Sequence, residues 1–153
     1  MTIQIWQRII SLFVYMLPLS DVLHLGSNLF AQYPILNYII IPILPIIFIK
    51  TKILLGGLLL FLCLFFGVVK NTEIAFFIRF NTMQALLLNI AIIIGIYVID
   101  IIIKPLGNYL LVQVASNIVF ITTLGITIFA ITKCVAGKEP DIPIISDAVR
   151  IQI

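Results

Sequence analysis

Polar side chains recur on one face of two apolar stretches that are long enough to cross a lipid bilayer. At about 100° per helical residue, Thr82, Asn89 and Asp100 fall within about 20° of one another. Side chains of these types can bond to a neighbouring helix or line a hydrophilic groove, and Asp100 can also carry a charge. The second stretch carries a similar stripe with two amides beside it: Ser116, Thr123 and Thr127, flanked by Gln113 and Asn117.

Two interpretations of these stripes are open on the sequence alone. In the structural one, the two stretches hydrogen-bond to each other and Asp100 is satisfied by Lys104 one turn later. In the functional one, the stripes border a polar groove, open near Gln84, through which an unfolded chain passes while water satisfies its backbone. Both interpretations keep the stripes away from lipid, because a polar group without a partner is costly in hydrocarbon.

A third polar group stands at the start of the first stretch, in the segment FFIRFNTMQALLLNI from Phe76 to Ile90. We expect Arg79 to reach lipid phosphates or the last-turn carbonyls of a neighbouring helix. Asn81 is expected to cap a helix that begins near residue 83, by accepting from the free N–H groups of its first turn. Gln84 would then lie near the entrance of that helix.

Residues that could support catalysis or metal binding are scattered. His24 has no second histidine or cysteine nearby and is expected in a loop. Cys63 and Cys134 show no paired spacing, so both are expected to be buried, unreactive thiols. The acidic residues are dispersed over separate segments: Asp21, Glu73, Asp100, Glu139, Asp141 and Asp147. We therefore predict no enzyme, no metal site and no cofactor.

The composition identifies the class of protein that must position these side chains. Of the 153 residues, 63% are hydrophobic and 10% are charged, with a mean hydropathy of +1.28, whereas soluble domains carry roughly 25% charged residues. The sequence predicts one all-α integral membrane domain over residues 1–153, in contact with the lipid bilayer. The net charge of +3 comes from scattered lysines and arginines, which argues against nucleic-acid binding.

Four transmembrane helices are predicted from runs that approach or exceed the roughly 20 residues needed to cross a bilayer. Their expected bounds are about 5–23, 46–69, 83–103 and 109–132. Pro42 and Pro45 are expected to prevent a regular helix, because each removes a backbone donor, so we predict a proline-bent interfacial helix at about 28–41. The tail, residues 137–153, is predicted to form a short amphipathic helix that Ser146 caps and that docks on the membrane surface or near Arg79.

The charges predict the orientation of these helices. With four crossings, both termini and the connection between the second and third spans share one side, which holds most of the cations: Arg8, Lys70, Arg79, Lys133, Lys138 and Arg150. The positive-inside rule then places both termini in the compartment that corresponds to the cytoplasm. Lys50 and Lys52 fall near the other side and are expected to snorkel to the surface.

Two blocks of the sequence resemble a known family. VVKNTEIAFFIRFNTMQALLLNI, from Val68 to Ile90, and GKEPDIPIISDAVRIQI, from Gly137 to Ile153, are similar to the twenty-kilodalton membrane subunit of the translocon at the inner envelope of chloroplasts, which cyanobacteria also have. PLSDVLHLG, from Pro18 to Gly26, matches more loosely. The resemblance implies four membrane spans, both termini in the stroma and a core role in preprotein passage. Its implied partners are other translocon membrane subunits and unfolded preproteins in transit.

The alternative to a translocon subunit is a structural membrane subunit, or a small-solute channel, whose polar helix faces serve only assembly. The compartment that the resemblance implies is the plastid inner envelope membrane, with a cyanobacterial plasma membrane as the alternative. The first residues lack the composition of a transit peptide, and the many isoleucines suit an AT-rich genome. We therefore expect a plastid-encoded protein, with a processed nuclear-encoded form as the other option.

Overall fold

The computed structural model describes residues 3–153, and within that range the regular elements are all helical. Their bounds are α1 Ile5–Gln32, α2 Pro34–Lys52, α3 Gly56–Val69, α4 Phe76–Leu106, α5 Tyr109–Val135 and α6 Ile145–Gln152. By length and composition, α1, α2, α4 and α5 are able to cross a membrane. The predicted all-α membrane fold, with four such helices and a short helix at the C-terminus, is therefore confirmed.

The second span is where the structure differs most from the sequence prediction. A single helix over 46–69 is predicted, but the chain turns at residues 53–55, where Leu55 adopts a left-handed backbone with φ of 56°. The nine α-helical and five π-helical residues of α3 rise only about 21 Å. That length falls short of the ~30 Å hydrocarbon core of a bilayer, so α3 is too short to cross by itself.

The prolines do not break the chain where the sequence suggests. Pro42 and Pro45 both lie inside α2, so the prediction that they prevent a regular helix is wrong, and the expected interfacial helix at 28–41 is divided between α1 and α2. Because α2 begins as a 3₁₀ helix over Pro34–Ile39, Pro42 falls in the first α-helical turn, where a missing donor is tolerated. Pro45 removes one further hydrogen bond, which helices in membranes accommodate.

Two other helices extend beyond their predicted ends. Helix α4 begins at Phe76 rather than near residue 83, so Asn81 lies inside the helix and does not cap it. Helix α1 continues to Gln32 rather than ending near residue 23, and His24 lies in a 3₁₀ turn within it, not in a loop. Both helices therefore continue beyond the apolar runs from which their bounds were predicted.

Helix α1 packs against both α4 and α5 and forms the centre of the bundle. Gly26 packs directly against α5, because a Cβ atom there would lie 2.8 Å from the Phe120 ring. Phe30 packs edge-to-face on the same ring, with 5.4 Å between the ring centroids. A side chain larger than hydrogen at position 26 would push α1 and α5 apart.

One end of the bundle collects the chain segments that the charges group together. Arg8 donates to the Val135 carbonyl at 3.1 Å, which joins the start of α1 to the end of α5. Arg79 donates to the carbonyl of Val69, the last residue of α3, at 2.9 Å, which is one of the two contacts predicted for it. The Asp100–Lys104 pair lies at the far end of α4. The start of α1, the end of α5 and the 70–75 connection therefore share one end of the molecule, as the charge pattern predicts.

The C-terminal tail docks on that same end. Val149 is fully buried in a cluster that includes Leu17 and Phe80, whereas Ile144 is exposed. Docking of the tail near Arg79 is therefore observed, but Ser146 does not cap the helix. Helix α6 begins at Ile145, and the Ser146 hydroxyl points into the bundle instead.

The two cysteines occupy different environments. Cys134 is buried, as predicted, but Cys63 is exposed, which contradicts the expectation of two buried thiols. The difference follows from position, because α3 lies at the edge of the bundle and turns one side of its helix outward, as the exposed side chains of Leu59 and Phe66 also indicate.

Candidate functional site

Two groups of polar side chains lie within the bundle, and α1 contributes to both. The first, which we call the tail cluster, consists of Tyr15, Asn81, Gln84, Cys134 and Ser146. The second, the ion-pair cluster, consists of Ser20, Asp21, Lys50 and Asn89. Each cluster joins residues that are far apart in the sequence, so each fixes how helices meet.

The Tyr15 hydroxyl is the centre of the tail cluster. It lies 2.6 Å from Oε1 of Gln84 and 3.0 Å from Oδ1 of Asn81, and its single proton can serve one of these acceptors at a time. The side-chain amide of Gln84 donates to the Pro140 carbonyl at 3.1 Å and to the Ser146 hydroxyl at 2.6 Å. One glutamine therefore connects α1, α4 and the tail.

The remaining groups of the tail cluster are also paired. The Asn81 amide donates to the Phe77 carbonyl at 2.7 Å, and the Cys134 thiol donates to Oδ1 of Asn81 at 3.2 Å. Ser146 accepts from the Ile142 backbone N–H at 2.7 Å. Because these groups are buried and bond to one another, the arrangement is suited to holding helices together rather than to binding a ligand.

Replacement of Ser146 by alanine is expected to loosen the tail. The change removes the acceptor for both the Gln84 amide and the Ile142 N–H, and buried donors without a partner cost about 1–3 kcal/mol. Trypsin added on the side of the termini should then cut at Lys138 and Arg150 faster than in the unmodified protein. The exposed neighbour Asp147 supplies the control, since Asp147→Asn should leave the cleavage rate unchanged; equal rates for both variants would contradict the role of Ser146.

The ion-pair cluster joins α1, α2 and α4. Nζ of Lys50 lies 2.6 Å from Oδ1 of Asp21 and 2.8 Å from the Ser20 hydroxyl. The amide of Asn89 donates to the other oxygen of Asp21. The Lys50 and Asp21 side chains are 16% and 23% exposed, so the predicted snorkelling of Lys50 to the surface is wrong. A carboxylate within reach stabilises the ammonium group inside the bundle, and the long lysine stem bends toward it.

A cavity of about 510 Å³ lies against the ion-pair cluster. Asp21, Lys50 and Asn89 form its polar wall, and apolar side chains of α3 and α4, including Leu58 and Ile93, form the rest. Ionisable groups inside a membrane-spanning bundle commonly line a pathway or an aqueous cavity. We therefore regard this cavity as the candidate functional site.

The residues predicted from the sequence lie in several different places. Of the α4 stripe, Thr82 is buried without a hydrogen-bond partner, Asn89 bonds to Asp21, and Asp100 pairs with Lys104 at 2.5 Å. The α5 residues divide by burial: Ser116, Thr123 and Thr127 are buried, whereas Gln113 and Asn117 are half-buried. Within residues 3–153, no hydrogen bond joins the α4 stripe to these α5 residues.

Little polarity is seen where α4 and α5 face each other. The space between them, about 310 Å³, is lined by apolar side chains together with Thr122 and Thr123. The Thr123 hydroxyl donates to the Val119 carbonyl of its own helix at 2.8 Å. The polar face of α4 that carries Asn89 is directed toward α1 and α3 instead.

Six residues of the two clusters are not predicted as site residues from the sequence: Tyr15, Ser20, Asp21, Lys50, Cys134 and Ser146. A signal for two of them was present, because single ionisable residues such as Asp21 and Lys50 on apolar helices usually pair with each other. Tyr15 and Ser146 gave no such signal, since their types are common on helix surfaces. In the part of the chain that the structure describes, no three His, Cys, Asp or Glu side chains come together as metal ligands.

Comparison with known proteins gives consistent matches along the chain. The family described as chloroplast import apparatus Tic20-like matches residues 2–149. A Tic20 family protein of Synechocystis sp. is 34% identical over 147 residues, which cover 95% of this chain and 92% of the relative. Protein TIC 20-II, chloroplastic, of Arabidopsis thaliana is 30% identical over 150 residues, with 96% and 72% covered. The Tic20 family protein Ycf60 of Pyropia yezoensis is 34% identical over 161 residues, with 95% and 75% covered.

Proposed function

Because the chain belongs to the Tic20-like family of the chloroplast import apparatus, we propose that it is a core membrane subunit of a protein translocon that contributes to preprotein passage. The observation that carries this proposal is the extent of the family match, which covers residues 2–149 and so includes all the membrane helices and most of the docked tail. A non-enzymatic role in transport is part of the same proposal.

The proposed location is the plastid inner envelope membrane, with both termini in the stroma. Relatives of this chain are described as chloroplastic, and another is cyanobacterial, so a cyanobacterial plasma membrane is the alternative. The orientation is supported by the arginines at one end of the bundle, among them Arg8 and Arg79, since the positive-inside rule places cationic ends on the cytoplasm-like side. Synthesis from a plastid genome belongs to the same proposal.

The proposed pathway runs along the flank of α4 that meets α1 and α3. Asn89 and Asp100 belong to this flank, together with the cavity at the ion-pair cluster. Four crossing helices can hardly enclose an extended chain, so other translocon membrane subunits form the opposite wall. We assign the buried threonines Thr82, Thr123 and Thr127 to helix packing, because they lie away from this cavity.

A second candidate function is a structural subunit whose polar groups serve only assembly. The tail cluster favours it, because its side chains bond to one another. The ion-pair cluster fits this structural function less well, because its side chains border a cavity of about 510 Å³.

Photo-crosslinking of a preprotein arrested in transit tests the proposed function. A photoreactive residue at Leu58, in the wall of the cavity, should crosslink to the arrested chain. The same residue at Ile128, on the outward face of α5, is the control and should crosslink mainly to lipid. Equal, background-level crosslinking at both positions, with the translocon intact and import active, would remove this chain from the pathway and favour the structural subunit.

A further inference from the structure

The cavity at the ion-pair cluster continues into a second one. The second cavity, about 490 Å³, lies between α1 and α4. The two cavities share Asp21 and Ile93 as lining residues. Beyond these, the second is lined by Ser20, His24, Ile96, Tyr97 and Asp100. The shared walls make the two spaces neighbours along one flank of the bundle.

One face of α4 lines both cavities. Asn89, Ile93, Tyr97 and Asp100 recur every three or four residues, which places them on one helix face. The distance along the helix from Asn89 to Asp100 is about 16 Å at 1.5 Å per residue. Since the hydrocarbon core is about 30 Å thick, the stripe reaches from the Asp100 end to roughly half the depth of the membrane.

The shortness of α3 leaves this flank open. Gly57 and Leu58, in the first turn of α3, line the cavity at the ion-pair cluster. Helix α3 begins there and does not extend further toward Asp100. The second cavity, on the Asp100 side, is therefore lined only by residues of α1 and α4. A helix of full membrane length in the place of α3 would cover that part of α4.

The ion pair at the inner end needs water. Charged side chains at half depth are costly in hydrocarbon, and water reaching them lowers that cost. Lys50 and Asp21 retain 16% and 23% of their exposure and face the cavities. Each space is large enough for on the order of ten or more water molecules, and polar groups stand at both ends of the stripe.

We propose that the two cavities form one water-filled crevice, open at the Asp100 end of the bundle and closed at half depth by the ion-pair cluster. The opening is on the side of the membrane opposite the termini, because Asp100 lies at the end of α4 far from Arg79. Below the cluster, the buried Tyr15, Asn81 and Gln84 fill the interior, so the crevice does not continue to the other side.

The charges in the crevice indicate what it accepts. Each carboxylate in the crevice has a cation beside it, because Asp21 pairs with Lys50 and Asp100 pairs with Lys104. A crevice whose charges are paired in this way suits water and a neutral, extended stretch of polypeptide backbone. The use of the crevice by a preprotein rests on the proposed function, whereas its access to water does not.

Thiol modification from each side of the membrane tests the crevice. Ile93→Cys places a thiol in the shared wall, and Ile94→Cys places one at the same depth on the outward face, in a background with Cys63→Ala and Cys134→Ser. A membrane-impermeant maleimide, added opposite an accessible C-terminal epitope, should modify the first thiol at least about tenfold faster, because thiols react as thiolates in contact with water.

Two results would overturn the crevice. One is equal, slow modification of both thiols; the other is modification of the first thiol only from the side of the termini. Tyr97→Cys against Val98→Cys repeats the comparison nearer the opening, should Ile93→Cys disturb folding. An arrested preprotein should then slow modification at position 93; an unchanged rate would overturn use of the crevice by the preprotein while the water-filled crevice stands.

Discussion

Replacement of Lys50 by methionine is expected to lower the free energy of unfolding by about 3 kcal/mol. The change removes the ammonium group that lies 2.6 Å from Asp21 and leaves the carboxylate inside the bundle with Asn89 and no cation. Loss of one partner of a buried ion pair typically costs about 3–5 kcal/mol, and we expect the lower end because water in the crevice reaches Asp21. Equilibrium unfolding in mixed detergent micelles, followed by circular dichroism, measures the change.

Two further variants isolate the ion pair as the cause. Lys52→Met removes an exposed cation from the same end of α2 and should change the free energy of unfolding little. Lys50→Met combined with Asp21→Asn should be more stable than Lys50→Met alone, because no unpaired charge remains. Unfolding of Lys50→Met at the same detergent fraction as the unmodified protein would show that Asp21 does not depend on Lys50.

Gly56→Ala is expected to destabilise the bundle by about 3 kcal/mol or more. A Cβ atom at this position would lie 2.2 Å from the carbonyl oxygen of Ile49, which is backbone and cannot turn away. The turn that joins α2 to α3 would have to open, and the contacts of α3 with α4 would change with it. The midpoint of thermal unfolding in detergent, together with the elution volume on gel filtration, reports this change.

The neighbouring glycine provides a matched control. Gly57 has no atom within 4 Å of a Cβ built on it, so Gly57→Ala should be neutral or slightly stabilising through its higher helix propensity. Similar loss of stability in both variants would mean that helix flexibility, and not the close approach to Ile49, explains the effect.

The parts of the fold that local sequence determines were predicted well. The start of α5 is an example: Gly107 adopts φ of 71°, which glycine does without strain, and the Asn108 side chain accepts from the Leu111 N–H at 3.2 Å. The pairing of Asp100 with Lys104 likewise depends only on a spacing of four residues. Signals of this kind lie within a few residues of one another.

The turn between α2 and α3 was missed because its sequence, Ile53–Leu54–Leu55, is as apolar as the helices around it. Leu55 takes up a left-handed conformation that leucine rarely adopts. Surrounding contacts, such as that of Gly56 with Ile49, hold the chain in this unfavourable conformation. A pattern of hydrophobicity alone cannot separate this turn from a continuing helix.

Which helices pack against each other could not be predicted from the sequence either. The periodicity places Asn89 and Asp100 on one face of α4, and the structure has both on the face that lines the cavities. Which helix meets that face depends on tertiary packing, and the partner of Asn89 is Asp21, which precedes it by 68 residues. Consecutive helices are common neighbours, but here Asn89 of α4 bonds to α1, and the hydrogen bond between α4 and α5 comes from Cys134 to Asn81 rather than from the polar stripes.

The docked tail sets the order of events during synthesis of the protein. The Gln84 amide donates to Ser146 and to the Pro140 carbonyl, which the ribosome adds 62 and 56 residues later. Until those residues emerge, the amide on α4 has no tail to bond with, and the pocket that Val149 fills stays open. The bundle can therefore close only after the segment from Pro140 to Val149 has been made. Helices α1 to α5 are therefore inserted as an incompletely packed set, and their packing is completed when the tail docks.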